Sequence, residues 1–553
     1  MGRHRHAALA GLLSLAACSR SSPPNAAART EVEAGSPGAV TIGRTRAPLR
    51  PRAPGAATAA SSTSKDPPLD AAAPVLPPAA LTETYFKHYG INPTIDTEEE
   101  SISSFALDVD TASYTLARAY LDRGEMPEES AIRVEEFLNA IDYRYPLPER
   151  EDFALYTDLV PSGHRNGYYV LHVGLRAREV AGKDRAPANL VFVVDVSSSM
   201  ALDARLRLVQ DALASLTSRL GPRDRLALVS YGSTAEIVLE PTAGDRTDVI
   251  LAAIDKLAPA GSTDVDAGLR LGYELATKGM IDGGINRVLL FSDGVVTSGP
   301  KAAEELLDHV AEAAQRGVNI STLGVGVDNY DDVLLEQLAD RGNGNYEYLD
   351  RLGEAERVLV RNLTGTLQVI ARDAKLQLEF DAASVARYRL LGYENRGLSS
   401  DAFASENTDA GEIGPGHAVT ALYELQFRGE PTAPFGRLRL RYRQPHTGLA
   451  REVIQPLAMR PDPSSPGSDA TRCALVVAAL AEKLRGSYWV RDLPWRQIQE
   501  WYLALDEAWR GRTEIAELGH LIDTAARIDQ HLPVPDRDVA GSQLDFDRMP
   551  VLQ

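Results

Sequence analysis

Three short stretches carry residues able to do chemistry. In the first, VFVVDVSSSM over residues 191–200, an apolar run ends on Asp195 and passes into Ser197, Ser198 and Ser199. The second is Gly261-Ser262-Thr263-Asp264 and the third is Ser292-Asp293-Gly294. All three offer hydroxyls and carboxylates, with no His or Cys among them. Hard oxygen donors of this kind suit Mg²⁺ or Mn²⁺, whereas zinc takes nitrogen and sulfur readily. Asp-x-Ser-x-Ser by itself signals little, because Asp and Ser are common turn residues. The pattern gains weight only if one structural edge gathers all three stretches.

The surrounding periodicity supplies such an edge. Residues 190–194 form a continuous apolar run, as expected of a strand buried on both faces. Further strands are predicted at 225–231, 235–239, 287–292, 318–325 and 346–349. Helices are predicted at 205–220, 247–257, 265–277, 301–316, 331–340 and 353–363. This alternation over 187–367 predicts an α/β fold, a doubly wound and mostly parallel sheet wrapped by helices. In such sheets ligands bind beyond the carboxyl ends of the strands, where the three stretches would meet.

DVSSS, GSTD and SDG, in that order, resemble the metal-ion-dependent adhesion site (MIDAS) of the von Willebrand factor type A (VWA) domain. The resemblance implies that Ser197, Ser199 and Thr263 bind Mg²⁺ (or Mn²⁺) directly. It implies that Asp195 and Asp293 act mainly through water and by orienting hydroxyls. Bacterial members often carry Gly where this chain has Ser198, which would stiffen the loop without removing a ligand. Hydroxyls and water cancel little of the ion's charge, so an open coordination position suits a partner's Asp or Glu carboxylate. The segments from Ile102 to Asn139 and DAGEIGPGHAVTALYEL resemble the flanks of a bacterial lipoprotein family carrying this domain centrally. GVGVDNYDDVLLEQLADRGNGNYEYLD fits the same family, so the resemblance covers about residues 90–530.

Outside the α/β unit the periods differ. Tyr169, Leu171, Val173 and Leu175 alternate with His172 and Arg176. Alternation returns at Leu376, Leu378 and Phe380, at Val419 to Phe427, and at Leu438, Leu440 and Tyr442. These predict antiparallel strands with one wet face, pairing with the Tyr169 strand so that the α/β unit is inserted in a sheet domain. Helices are predicted at 112–123, 133–141 and within 470–530, where Ile498, Trp501, Leu505 and Ala508 would share a face packed on the body. The expected divisions are 85–186, 187–367, 368–460 and 470–530.

At the amino end, Arg3 and Arg5 precede an apolar run over 7–17, too short to span a bilayer but suited to a secretory signal. Leu15-Ala16-Ala17-Cys18 resembles a bacterial lipobox, which implies a leader over 1–18 and lipidation at Cys18. Residues 19–84, rich in Pro, Ala and Ser, read as a disordered tether. Ser19 lacks the Asp that retains such lipoproteins at the inner membrane, so the expected address is the outer membrane facing the periplasm. The only other cysteine, Cys473, sits in an apolar run and reads as core. The net charge of −19 argues against nucleic-acid binding.

Asp108-Val109-Asp110-Thr111 also fits Asp-x-Asp-x-Thr, the nucleophile motif of haloacid-dehalogenase-like phosphatases, with Asp328, Asp331 and Asp332 as mimics of that family's metal-binding acids. No parallel sheet is expected behind Asp108, so Asp108 and Asp110 read as caps of the 112–123 helix. His172, His309 and His417 read as scattered surface residues. Two function classes follow: a tethered, metal-dependent binding module for an acidic group, and, as the alternative, a Mg²⁺-dependent hydrolase. No Ser/His/Asp order, HExxH or phosphate loop supports the second.

Overall fold

A computed structural model describes residues 87, 89–180, 186–294, 300–326, 332–362, 369–405, 410–429, 433–445, 447–458 and 467–532. The expected leader with Cys18 and the tether over 19–84 lie outside the described residues, as do Asp328, Asp331 and the side chain of Asp332.

The central sheet runs Tyr346–Leu349, Asn319–Val325, Ile285–Ser292, Ala188–Asp195, Arg225–Tyr231, Ala235–Ala243. Neighbours are parallel except the last pair, which is antiparallel. Its strand Ala188–Asp195 is apolar over residues 190–194 because both faces are covered. Leu190, Phe192 and Val194 enter one core with Leu206, Val209, Leu213 and Ile250. Val191 and Val193 enter the other with Leu269, Tyr273, Val310 and Leu338. Each such side chain contributes about 1.5–3 kcal/mol when fully buried. The sheet is the expected doubly wound one, and it reverses strand order between Ala188–Asp195 and Ile285–Ser292.

Two antiparallel sheets face each other over a third core. The first runs Ile95–Asp96, Val385–Leu391, Ala418–Phe427, Tyr168–Ala177, Phe153–Pro161. The second runs Gly397–Leu398, Ile102–Ala106, Ala371–Phe380, Gly436–Arg443, Ala450–Pro456. Leu171, Val173, Leu175 and Tyr423 from one meet Phe105, Leu376, Leu378 and Leu438 from the other. Both sheets draw strands from before and after the α/β unit, so the unit is inserted in this sandwich. Val419 pairs with Leu175 and Leu425 with Tyr169, as expected. The strands at Ala371 and Gly436 do not join them. Ala371–Phe380 pairs instead with Ile102–Ala106, which the flanking turn-like acids had masked as a strand in the sequence.

One predicted wet face is covered in part, whereas the arginines of Gly436–Arg443 keep solvent contact, as expected. Lys375 and Gln377 are buried. Lys375 Nζ donates to the carbonyls of Ala402 and Ser405, at the Ser400–Ala404 helix. Across the other sheet, Val160, Val170 and Leu422 pack against Ala474, Val477 and Ala481 of the helix Asp469–Leu484. Strand alternation reports polarity, and here helices distant in sequence satisfy the polar residues. Cys473 is fully buried in that layer. Ile498 and Leu505 are core and Trp501 packs against it, but the helix Trp495–Leu503 ends before Ala508, which is exposed.

Two further expectations fail for the same reason. His172 is fully buried, not at the surface, with Nε2 2.6 Å from Tyr145 Oη and Nδ1 3.0 Å from Thr471 Oγ1. His309 and His417 are half-buried. Asp108 and Asp110 do not cap the helix Ala112–Asp122, whose N-cap Thr111 makes no side-chain cap bond. Asp110 Oδ1 accepts from the Tyr346 backbone N–H at 3.1 Å, and Asp108 pairs with Arg396 at 3.0 Å. The cap comes from the helix Val134–Asn139, where Glu136 Oε2 accepts the Ser113 N–H at 2.7 Å. The strand before Asp108 lies in an antiparallel sheet, which removes the scaffold of the phosphatase motif.

Candidate metal site

Asp195 ends the middle strand of the central sheet, and Ser292 ends its neighbour Ile285–Ser292. The two acids and their serines therefore emerge side by side, where the strand order reverses. Asp195 is fully buried and spends both oxygens on fixing loops. Oδ1 accepts the Ser197 backbone N–H at 2.7 Å, and Oδ2 accepts the Ser292 hydroxyl at 3.1 Å. Burial pushes its carboxyl up to about 6, against the hydrogen bonds from Ser197 and Ser292, while nearby Asp293 pushes it further up.

Asp195 thus sets the turn that presents the serines. Ser197 Oγ and Ser199 Oγ lie 3.0 Å apart, and Ser199 Oγ donates to Asp293 Oδ1 at 2.9 Å. The second loop is tied to the first. Ser198 donates to the Gly261 carbonyl through its N–H at 3.1 Å and its hydroxyl at 3.0 Å. Ser198 is thereby a clamp between loops. Gly261 sits at φ +82°, and a β-carbon there would lie 2.5 Å from Ser233 Oγ. Asp264 caps the helix Val265–Lys278 by accepting from the Ala267 N–H at 3.1 Å. Thr263 stands half-buried between these two anchors. Asp195, Ser197, Ser199 and Asp293 are joined by direct hydrogen bonds, and Thr263 occupies the adjoining loop.

The donor set fits a hard cation. Two adjacent oxygens on an octahedral ion with ~2.1 Å bonds are about 3 Å apart, and the Ser197 and Ser199 hydroxyls have that separation. Among the described residues no group of three or more His, Cys, Asp or Glu converges as a metal cage. Two residues of the site have roles that sequence analysis did not assign. Ser292 steadies Asp195, and Arg205 donates from Nη1 to Asp293 Oδ2 at 3.0 Å. Only Ser292 had a signal, as the neighbour of Asp293. Arg205 reads in sequence as an ordinary helix start.

Comparison with known proteins bears on the same regions. Residues 189–358 match the family model "von Willebrand factor type A domain". Residues 365–436 match "Uncharacterized protein YfbK, C-terminal", and residues 80–172 match a model described as "von Willebrand factor". "Uncharacterized protein YfbK" of Escherichia coli (strain K12) is 35% identical over 477 residues, covering 80% of this chain and 82% of that protein. "Uncharacterized protein sll0103" of Synechocystis is 27% identical over 305 residues, covering 52% of this chain and 69% of that one. Among solved structures, a von Willebrand factor type A protein from Catenulispora acidiphila aligns with a TM-score of 0.38 and 14% identity, covering 68% and 88%.

Proposed function

From its membership of the YfbK-like family of VWA-domain proteins, to which this chain belongs, we propose that it is a tethered, metal-dependent protein-binding module. The ion is Mg²⁺ or Mn²⁺, held by the hydroxyls of Ser197, Ser199 and Thr263. When bound, it supplies an electrophilic position that accepts an Asp or Glu carboxylate from a partner protein. Asp195 fixes the serine turn through its bond to the Ser197 N–H. Asp293 orients the Ser199 hydroxyl. Ser198 holds the Thr263 loop against the serine loop. A lipid on Cys18 and a tether over 19–84 would hold the module at the outer membrane, facing the periplasm.

The observation that carries this reading is the close pair of serine hydroxyls facing Asp293 at the strand-order reversal. Its test is capture from envelope extract by the full chain, with Mg²⁺ and with EDTA, beside Asp195→Ala. Partners present with Mg²⁺ and lost in both other samples support it. The same partners in all three samples count against it. A phosphatase and esterase screen with Mg²⁺ on the same proteins decides the hydrolase alternative, and turnover abolished by Asp195→Ala would favour that alternative.

A further inference from the structure

Arg205 opens the helix Arg205–Thr217, directly after the serine turn. Its guanidinium reaches Asp293 Oδ2 at 3.0 Å, and the two side chains are only 3% and 4% exposed. Asp293 is therefore divided, with Oδ1 toward the Ser199 hydroxyl and Oδ2 toward Arg205.

The backbone is bent to achieve this. Asp203 at φ 47° and Ala204 at φ 55° are consecutive left-handed residues with β-carbons, a conformation that such residues disfavour. Against the same guanidinium, Gly326 sits at φ +85°, and a β-carbon there would lie 2.5 Å from Arg205 Cζ. Gly326 follows the strand Asn319–Val325, so a third loop of the same sheet edge is shaped around this side chain. A helix start that served only the helix would need neither feature.

The electrostatic consequence is direct. Two carboxylates stand beside the hydroxyls, and Arg205 cancels one of them. A divalent ion bound there keeps a net positive charge. We propose that Arg205 is a positioning residue that leaves the metal site one negative charge short, so that cation and external carboxylate bind cooperatively, weakly apart and tightly together. The proposal rests on the metal-binding reading above and adds what drives the site toward an acidic ligand. By thermodynamic reciprocity, a carboxylate that needs the ion must also tighten the ion.

The test is calorimetric titration of the full chain with MnCl2, in chloride buffer and in acetate. In wild type, acetate is expected to tighten Mn²⁺ binding. Arg205→Gln, which keeps bulk and polarity, is expected to bind Mn²⁺ about tenfold tighter in chloride and to lose most of the acetate effect. Arg205→Lys, which keeps the charge, should resemble wild type. Gly326→Ala, which crowds the guanidinium off Asp293, should move in the same direction as Arg205→Gln and serves if that variant fails to fold. Folded variants that bind Mn²⁺ no tighter than wild type overturn the role of Arg205 while leaving the metal site intact. Absence of Mn²⁺ uptake by wild type overturns the metal reading, and this inference with it.

Discussion

The hydroxyl of Ser199 and the carboxylate of Asp293, 94 residues apart in the chain, meet at 2.9 Å on the edge of the central sheet. Neither is held by its own loop alone. Asp195 places the serine turn through the Ser197 N–H, and Arg205 holds the other oxygen of Asp293. The contact exists because two parallel strands are neighbours and end level with each other.

Removing a hydroxyl ligand should uncouple stability from the metal. Mg²⁺ or Mn²⁺ that binds only the folded chain raises the melting temperature by mass action. Ser199→Ala should lose that rise and cost about 1–2 kcal/mol in EDTA, the value of its hydrogen bonds to Asp293 and Ser197. Differential scanning calorimetry with and without MnCl2 measures both. A rise in Ser199→Ala equal to wild type would remove Ser199 from the ligand set.

Glu136 caps one helix from another. Its Oε2 accepts the Ser113 N–H at 2.7 Å, while Oε1 takes Arg133 Nη1 at 2.9 Å, all in the core. Glu136→Ala leaves a buried donor and weakens the neutralisation of a buried cation, and should cost about 3–5 kcal/mol. Glu136→Gln can still accept from Ser113 and should cost less. Urea unfolding of the two variants checks the order. Equal losses would mean that the carboxylate charge beside Arg133 matters and the cap does not.

His172 should make the protein acid-sensitive. Burial lowers its pKa from 6.5 to about 3. The unfolded chain therefore binds a proton between pH 6.5 and pH 3 that the folded chain refuses. Stability from this group is full well above pH 6.5 and falls as the pH drops below it, by about 2 kcal/mol between pH 8 and pH 5. His172→Gln, which keeps polar groups for Tyr145 and Thr471, should flatten the curve in that window. An unchanged slope, read from urea midpoints across pH, would assign the acid sensitivity elsewhere.

Arg396 gathers acids from the sandwich side and from the α/β unit. It pairs with Asp108 and Asp340 at 3.0 Å, and with Asp110 and Glu336 at 3.7 and 3.8 Å. Arg396→Ala should destabilise by about 3–5 kcal/mol near neutral pH, because buried carboxylates lose their cation. Asp110 already has its carboxyl pushed well up, by burial and then by Asp108. Lower pH should therefore neutralise Asp110 and narrow the gap from wild type. Melting temperatures at pH 7 and pH 5 test this, and a gap that widens on acidification would contradict it.

The sequence by itself determined the central sheet and the neighbourhood of the candidate site. Continuous apolar runs mark strands buried on both faces, and turn residues after them mark the sheet's ligand-bearing edge. Both signals are local, so the three stretches could be placed at one edge, and the resemblance to the VWA motif picked out Asp195, Ser197, Ser199, Thr263 and Asp293 within them. Tertiary structure decided what pairs over long range. Ile102–Ala106 became a strand because Ala371–Phe380 offered it an edge. His172 became core because the helix Asp469–Leu484 covered its strand. Arg205 became part of the site because Asp293 and Gly326 arrive from other strands. A polar residue's own sequence reports its polarity, and only the folded chain supplies the partner that lets it be buried.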